Sequence, residues 1–404
     1  MRRAAVARLA ALGALAGPAA SWGLPEPNEA PSAVPLVWGL GGVWAAGEGR
    51  ALQALDGAFG AADAPAAPVA PVATASGIWG LTAVGELRAW RKDGQDGWPV
   101  ALRFKVSDPV HGLAASADGR WVMVAHGEQL SLLDAQAQLV RRYDGSDLTR
   151  RRRGRAQALW HLPQRRSFVV SWPTLGELWE IALDPSAEPI FDGLVHDYRM
   201  GEGLASPGYL GLRRTPLGLP MPELVFADAR MPWVAGLQGG RVVVVHLDVR
   251  RRIAELALPD ARPQAALLRR AAAAWQWWLP CGSQVQVLDL PRFALAGRYE
   301  LPAPVRALWA VGTAVWALLG DAHAAALWLW DGDPWRPLGS QADASGEPGV
   351  PLALAVEPGG ARVLLATGQP AAVYLLAADG LVLERWPLPA GADLRGVAWL
   401  SAAS

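Results

Sequence analysis

The stretch Val110–Tyr143, VHGLAASADGRWVMVAHGEQLSLLDAQAQLVRRY, decides the fold. It reads as short apolar runs divided by turns. Val110–Ala115 is closed by Ala117-Asp118-Gly119-Arg120, Trp121–Ala125 by a turn at Gly127, and Leu130–Leu133 ends on Asp134. Runs of this length bounded by Gly and Asp are strand signals, because Gly tolerates φ > 0 and Asp bonds its own backbone. A unit this small cannot cover both of its faces, so it requires neighbours of the same build.

Such neighbours recur along the chain. Leu36–Ala45 and Ala51–Leu55 form one unit, and Gly77–Leu81, Glu86–Trp90 and Val100–Val106 the next. After the opening unit come Ala156–Leu162, Ser167–Trp172 and Glu177–Leu183, then Glu223–Ala227, Trp233–Leu237 and Arg241–Leu247. Trp275–Leu279 with Gln284–Leu288, then Val305–Ala310, Ala314–Leu318 and Ala325–Trp330, and finally Pro351–Val356, Arg362–Ala366 and Ala372–Leu376 complete the series. Aspartates at 134, 184, 248, 289 and 331 fall 50, 64, 41 and 42 residues apart. That is close to the roughly 40–45-residue period of a propeller blade, with two insertions. Helical periodicity is nowhere sustained, and the Ala-rich Gln264–Ala274 reads as loop. Leu394–Leu400 (LRGVAWL) resembles the first strand of a unit whose remainder begins at Leu36. The expectation is an all-β, eight-bladed β-propeller over residues 36–404, closed by the C-terminal strand, which would remove its exposed edge.

Composition sets the class. With 52% hydrophobic and 18% charged residues among 404, the chain has ample core and is not a disordered one. The 21 tryptophans read as filling between stacked sheets. Lys+Arg and Asp+Glu both total 37, so no sustained basic surface points to nucleic acid. The one basic cluster, Arg150–Arg153 with Arg155, reads as a solvated loop. Residues 1–21 have the layout of a secretory signal: Met1-Arg2-Arg3, then the small-residue run Ala4–Gly17, then Gly17-Pro18-Ala19-Ala20-Ser21. Residues 22–35 are a Pro-rich leader, and no other run is long enough to span a bilayer. The single Cys281 forbids an internal disulfide, and no Cys-x-x-Cys-His attaches a c-type haem. The expected mature chain is soluble and periplasmic.

The densest polar sequence lies in the insertion between Asp184 and Glu223, with His196-Asp197-Tyr198-Arg199-Met200-Gly201-Glu202 and then Arg213-Arg214-Thr215-Pro216-Leu217. Gly176–Asp184 (GELWEIALD), Leu194–Gly208 (LVHDYRMGEGLASPG), Arg213–Leu217 (RRTPL) and Val245–Pro259 (VHLDVRRRIAELALP) resemble, in order and spacing, the cytochrome d1-type propellers, and among them the haem d1 biosynthesis proteins of the dihydro-haem d1 dehydrogenase kind. The resemblance implies a periplasmic propeller holding haem d1 or its precursor, acting in haem d1 synthesis or its delivery to nitrite reductase, with nitrite reductase or other haem d1 maturation proteins as partners. If there is catalysis, the resemblance implies oxidoreduction of a haem d1 precursor.

The pocket histidines of that family have no counterpart here. Ala61–Pro71 contains none, Gln264 stands where an imidazole would, and Leu308 and Leu352 lie near two further places. A carbon side chain offers no lone pair to iron. The residues singled out for a cofactor are His111, which opens an inner strand, and His196, Arg199, Arg213 and Arg214, where arginines would clamp tetrapyrrole carboxylates and His196 would exchange protons. The competing reading is that Asp197 and Glu202 pair with these arginines and pin the insertion. His246 and its alternating valines read as a structural blade face, and Cys281 has no basic neighbour to activate it. The alternative function is a degenerate propeller without cofactor, serving as an interaction scaffold in a maturation complex.

Overall fold

A computed structural model describes most of residues 69–400, together with 34–39, 42–45 and 53–54. Residues 1–33, 55–68, 192–204, 218–224, 341–349 and 401–404, with shorter stretches between, lie outside the description, and with them the signal segment, most of the leader, nearly all of Ala61–Pro71, His196 and Arg199.

The 110–144 region shows how the rest is made. Val110–Ala115, Trp121–His126, Gln129–Asp134 and Leu139–Asp144 pair antiparallel in chain order. Gly127, at φ 52°, gives the tight hairpin between the second and third strands a backbone that a side chain would resist. The recurring aspartate acts as a turn cap: Asp134 Oδ1 accepts the N–H groups of Gln136 (2.9 Å) and Gln138 (2.8 Å), which commits the chain to reverse. Asp184 does the same with the Ser186 N–H at 2.9 Å.

Among the described residues the strands assemble into eight four-stranded antiparallel sheets. Seven are built from four strands consecutive in sequence: 72–105, 110–144, 158–216, 225–257, 267–300, 305–337 and 351–387. The eighth is composite, with Gln53–Ala54, Gly42–Ala45, Val34–Gly39 and Leu394–Leu400 side by side in that order. Val37 there stands opposite Val397 and Leu36 opposite Ala398. Leu394–Leu400 also lies against Pro351–Val356 on one side and Val72–Thr74 on the other.

The core is the set of slabs between successive sheets. In the 110–144 and 158–216 sheets the second strand is covered on both faces, so Trp121–His126 and Ser167–Trp172 read as near-continuous apolar runs. Leu162, Val169 and Leu178 meet Val234, Val243 and Val245 across one slab; Leu364, Val373 and Trp386 meet Leu394, Val397 and Trp399 across another. Trp79, Trp90, Trp172, Trp179, Trp277, Trp278 and Trp316 are sealed within these layers, as the filling role requires.

Two expectations are corrected. Gln264–Ala274 is not loop: Pro263–Ala265 forms a 3₁₀ turn and Leu267–Ala271 is the first strand of its sheet, held by pairing with Ala274–Cys281 that outweighs the helical leaning of alanine. Arg213 and Arg214 do not sit in a loop; Leu212–Pro216 is the outer strand of the 158–216 sheet, registered so that Arg214 faces Trp179 and Arg213 faces Glu180. Outer strands are polar because one edge and much of their surface meet water, where charge also discourages edge-to-edge pairing.

Candidate functional site

At one end of the 110–144 sheet, backbone hydrogen bonds draw several connections together. The Gly127 N–H reaches the Pro109 carbonyl (3.2 Å), Gly145 N–H reaches Glu128 (2.7 Å) and Gly154 N–H reaches Gly145 (2.9 Å). His111 stands here, near the start of the first strand. Its Nδ1 lies 3.4 Å from the Pro109 carbonyl, which favours the tautomer with the proton on that atom and the lone pair on Nε2. Nε2 is buried and has no hydrogen-bond partner. Burial pushes the proton affinity of the ring below its ordinary value; the Pro109 carbonyl works against this, and Arg155 and His126 add to it. The Ala156 backbone also faces the ring and raises its proton affinity, although its geometry falls short of a hydrogen bond to Nε2. The result is an imidazole held below its ordinary proton affinity, with Nε2 buried and unpartnered.

Arg214 belongs to the same end of the neighbouring sheet, where its Nη1 is engaged on both sides. Its Nη1 donates to Glu177 Oε2 (3.1 Å) and to the Ser146 carbonyl (2.9 Å), and its guanidinium lies 4.5 Å from the centre of the Trp179 ring. Glu177 also accepts from Trp179 Nε1 at 2.7 Å. His111 and Arg214 thus flank the same connection, residues 145–156, from its two ends. Arg213 points to the opposite face, beside the strand position of Glu180. There Arg165 holds Glu180 (2.8 Å) and Asp248 of the next sheet (2.7 Å), and Ser167 completes the Glu180 carboxylate at 2.9 Å. His196 and Arg199 lie outside the described residues.

Beside His111 is an arrangement no sequence motif announces. His126 Nε2 is 2.8 Å from Ser131 Oγ, and Nδ1 is 3.5 Å from Asp108 Oδ2, an electrostatic contact longer than a good hydrogen bond. Serine, histidine and aspartate stand in the order of a nucleophile, base and orienting acid. Ser131, however, is only 1% exposed, so no substrate reaches it. This is a buried polar knot, with Gln129 also donating to Asp108 at 3.3 Å.

Among the described residues, the other two histidines and the thiol have structural settings; His323 lies outside the description. His161 meets the Phe168 ring edge-on at 5.4 Å, and His246 Nδ1 accepts the Asp248 N–H at 3.2 Å. Burial pushes the Cys281 thiol up to about 11, with Asp260 adding and Arg298 opposing. Leu308 is buried between sheets and Leu352 packs on the apolar cluster around Trp399. Among the described residues no group of His, Cys, Asp and Glu is arranged to hold a metal ion, and no helix is long and apolar enough to cross a membrane.

Sheets stacked face to face, with their first strands neighbouring one another, define the class: this is an all-β β-propeller. Among solved structures the chain is similar to the dihydro-heme d1 dehydrogenase NirN in complex with DHE, with a TM-score of 0.70 and 18% identity over 91% of this chain and 75% of that one. It is also similar to BamB from Moraxella catarrhalis, at a TM-score of 0.51 and 12% identity over 81% of this chain and 87% of that one. No family model matches the sequence, and no curated protein matches it. At these identities the likeness speaks for the fold.

Proposed function

We propose that the chain is an exported, periplasmic propeller of the cytochrome d1 type that binds a d1-type tetrapyrrole and acts in haem d1 biosynthesis or in its delivery to nitrite reductase. In this reading the eight sheets are eight blades, and the C-terminal strand closes the ring. The observation that carries the proposal is His111: a half-buried imidazole of lowered proton affinity whose Nε2 atom is buried and has no hydrogen-bond partner. That is the donor a tetrapyrrole iron takes. The likeness in fold to a protein solved with DHE, and the sequence resemblance over Gly176–Pro259, point the same way.

The residues fit such a group unevenly. His111 would hold the iron of such a group through Nε2, and the start of the next strand at Arg155–Ala156 would have to yield to admit it. Arg213 has no carboxylate partner among the described residues and is suited to a ligand carboxylate, as His196 and Arg199 would be from the 192–204 segment. Arg214 is suited less, because Glu177 already neutralises its charge and Glu177 with Ser146 takes its Nη1 donors. When bound, the tetrapyrrole would supply the redox chemistry; the protein's part is position and charge.

A second reading, a propeller without cofactor that serves as a scaffold in a maturation complex, draws on Leu308 and Leu352, which are packed in apolar clusters where the resemblance places histidines. Titration of the purified protein with haem d1 separates the two. The tetrapyrrole reading expects saturable shifts of the Soret and long-wavelength bands, with the ligation shift lost in His111→Ala. An unchanged spectrum at micromolar protein leaves the scaffold.

A further inference from the structure

Residues 139–155, LVRRYDGSDLTRRRRGR, hold arginines at 141, 142, 150, 151, 152, 153 and 155 against aspartates at 144 and 147. The excess is five positive charges (seven minus two) in a chain whose formal net charge is zero. A run of this kind is ordinarily a fluctuating solvated loop. Here it is built.

Asp147, 8% exposed, is the hub. Its Oδ1 accepts the N–H of Arg151 (2.9 Å) and Arg152 (3.3 Å) and the Thr149 hydroxyl (3.0 Å), while Oδ2 accepts Arg152 Nε at 3.2 Å. Burial alone would raise this carboxyl; the backbone and side-chain bonds from Arg152, with those of Thr149 and Arg151, overcome it and bring it to about 2. The Arg150 N–H turns back to the Asp147 carbonyl (2.9 Å), with Arg150 itself in the left-handed region at φ 56°. Ser146 and Arg153 form a bridge, and Gly154 passes so close to Thr174 that a side chain there would collide.

The cations are thereby turned outward with little to neutralise them. Arg150, Arg151 and Arg155 meet no carboxylate among the described residues, and Arg153 reaches only the exposed Glu128, at 3.9 Å. Leu148 stands among them 69% exposed, and Leu139 and Val140 on the adjoining outer strand are 40% and 42% exposed. A small anion needs convergent donors in a cradle, and the donors that converge here, the Arg151 and Arg152 N–H groups and Arg152 Nε, are already taken by Asp147. An anionic bilayer would be met by aromatic anchors, and the exposed apolar residues here are all aliphatic. A protein surface offering spread carboxylates around an apolar spot complements both features.

We propose that the outer strand Leu139–Asp144 and the arginine connection that follows it form a docking surface for an acidic protein, with Leu148 as its apolar contact. This goes beyond the tetrapyrrole reading and does not rest on it.

The test uses a fluorescein-labelled decapeptide of eight glutamates around a Leu-Leu pair, followed by anisotropy on the full chain. Binding at about 50 mM salt should weaken several-fold at about 200 mM. The variant R150S/R151S/R153S should bind about tenfold more weakly, and Leu148→Asp should also weaken binding. Removing three arginines elsewhere, R251S/R292S/R298S, should leave binding unchanged. Deuterium uptake in wild type should slow at 139–155 and not at Ala294–Glu300. Equal loss in both triple variants, no binding to wild type, or binding only to phosphatidylserine vesicles overturns the proposal. The R150S/R151S/R153S variant should still give the haem d1 titration of wild type, so the two readings fail separately.

Discussion

Replacing Arg214 by alanine separates a pin from a ligand clamp. The side chain is 15% exposed and its partner Glu177 13%, so the pair lies between a surface ion pair, worth roughly 0–1 kcal/mol, and a buried one, whose breaking costs about 3–5 kcal/mol. A break of about 2 kcal/mol is the appropriate middle, because Glu177 keeps the Trp179 indole N–H. Loss of the stacking on Trp179 adds about 1 kcal/mol, and the abandoned Ser146 carbonyl up to about 1 more. The expected total is about 3–4 kcal/mol. With a urea slope near 3 kcal/mol/M, the unfolding midpoint should fall by about 1 M. Arg214→Lys, which keeps charge without the planar stack, should lose about half as much. In a double-mutant cycle with Glu177→Gln, the coupling should exceed about 1 kcal/mol. Stability within about 0.5 kcal/mol of wild type, accompanied by weaker haem d1 binding, would refute the reasoning and return Arg214 to the ligand.

Other outcomes follow from the same geometry. Trp399→Ala should lose about 4–5 kcal/mol in the same assay, since it removes a buried indole and its bond to the Ala355 carbonyl at 3.2 Å, whereas Leu383→Ala on an exposed outer strand should lose under about 1 kcal/mol. His111, His126 and His161 all have their proton affinity lowered by burial, so the unfolded chain binds more protons just below pH 6.5. Their contribution is complete above that value and is lost as pH falls through it, with a slope of at most about 1.4 kcal/mol per pH unit per imidazole; His161→Gln should remove one share from a pH series of urea midpoints. The Cys281 thiol, raised to about 11, should react with a disulfide reagent at pH 8 on the order of a hundredfold more slowly than free cysteine; matching rates would mean the site is open.

What the sequence makes legible is set by which strands are covered. Ser167–Trp172 stands where its largely apolar run places it, because a strand covered on both faces carries few polar side chains. The outer strands Leu139–Asp144 and Leu212–Pro216 are opaque for the same reason turned round: half in water, they carry arginines and look like loop. Leu267–Ala271 is hidden by alanines whose conformation is fixed by a partner strand and not by propensity. Of the candidate site, the strand position of His111 is legible, because it lies in an apolar run closed by a turn. The engagement of Arg214 is not, since Ser146 and Glu177 come from segments 68 and 37 residues away. Distance in sequence also conceals the Arg165 bridge between sheets, whose Asp248 lies 83 residues on, whereas the His126–Ser131 contact spans only five residues and is hidden because no motif announces it.

The architecture and the function proposed from it rest on head and tail sharing one sheet. With Cys281 replaced by serine, cysteines placed at Val37 and Val397, which stand opposite one another, should oxidise to an intramolecular disulfide in the folded monomer, while the offset pair at Val37 and Trp399 should not. Failure of the matched pair to cross-link, or equal cross-linking by the offset pair, would contradict the account.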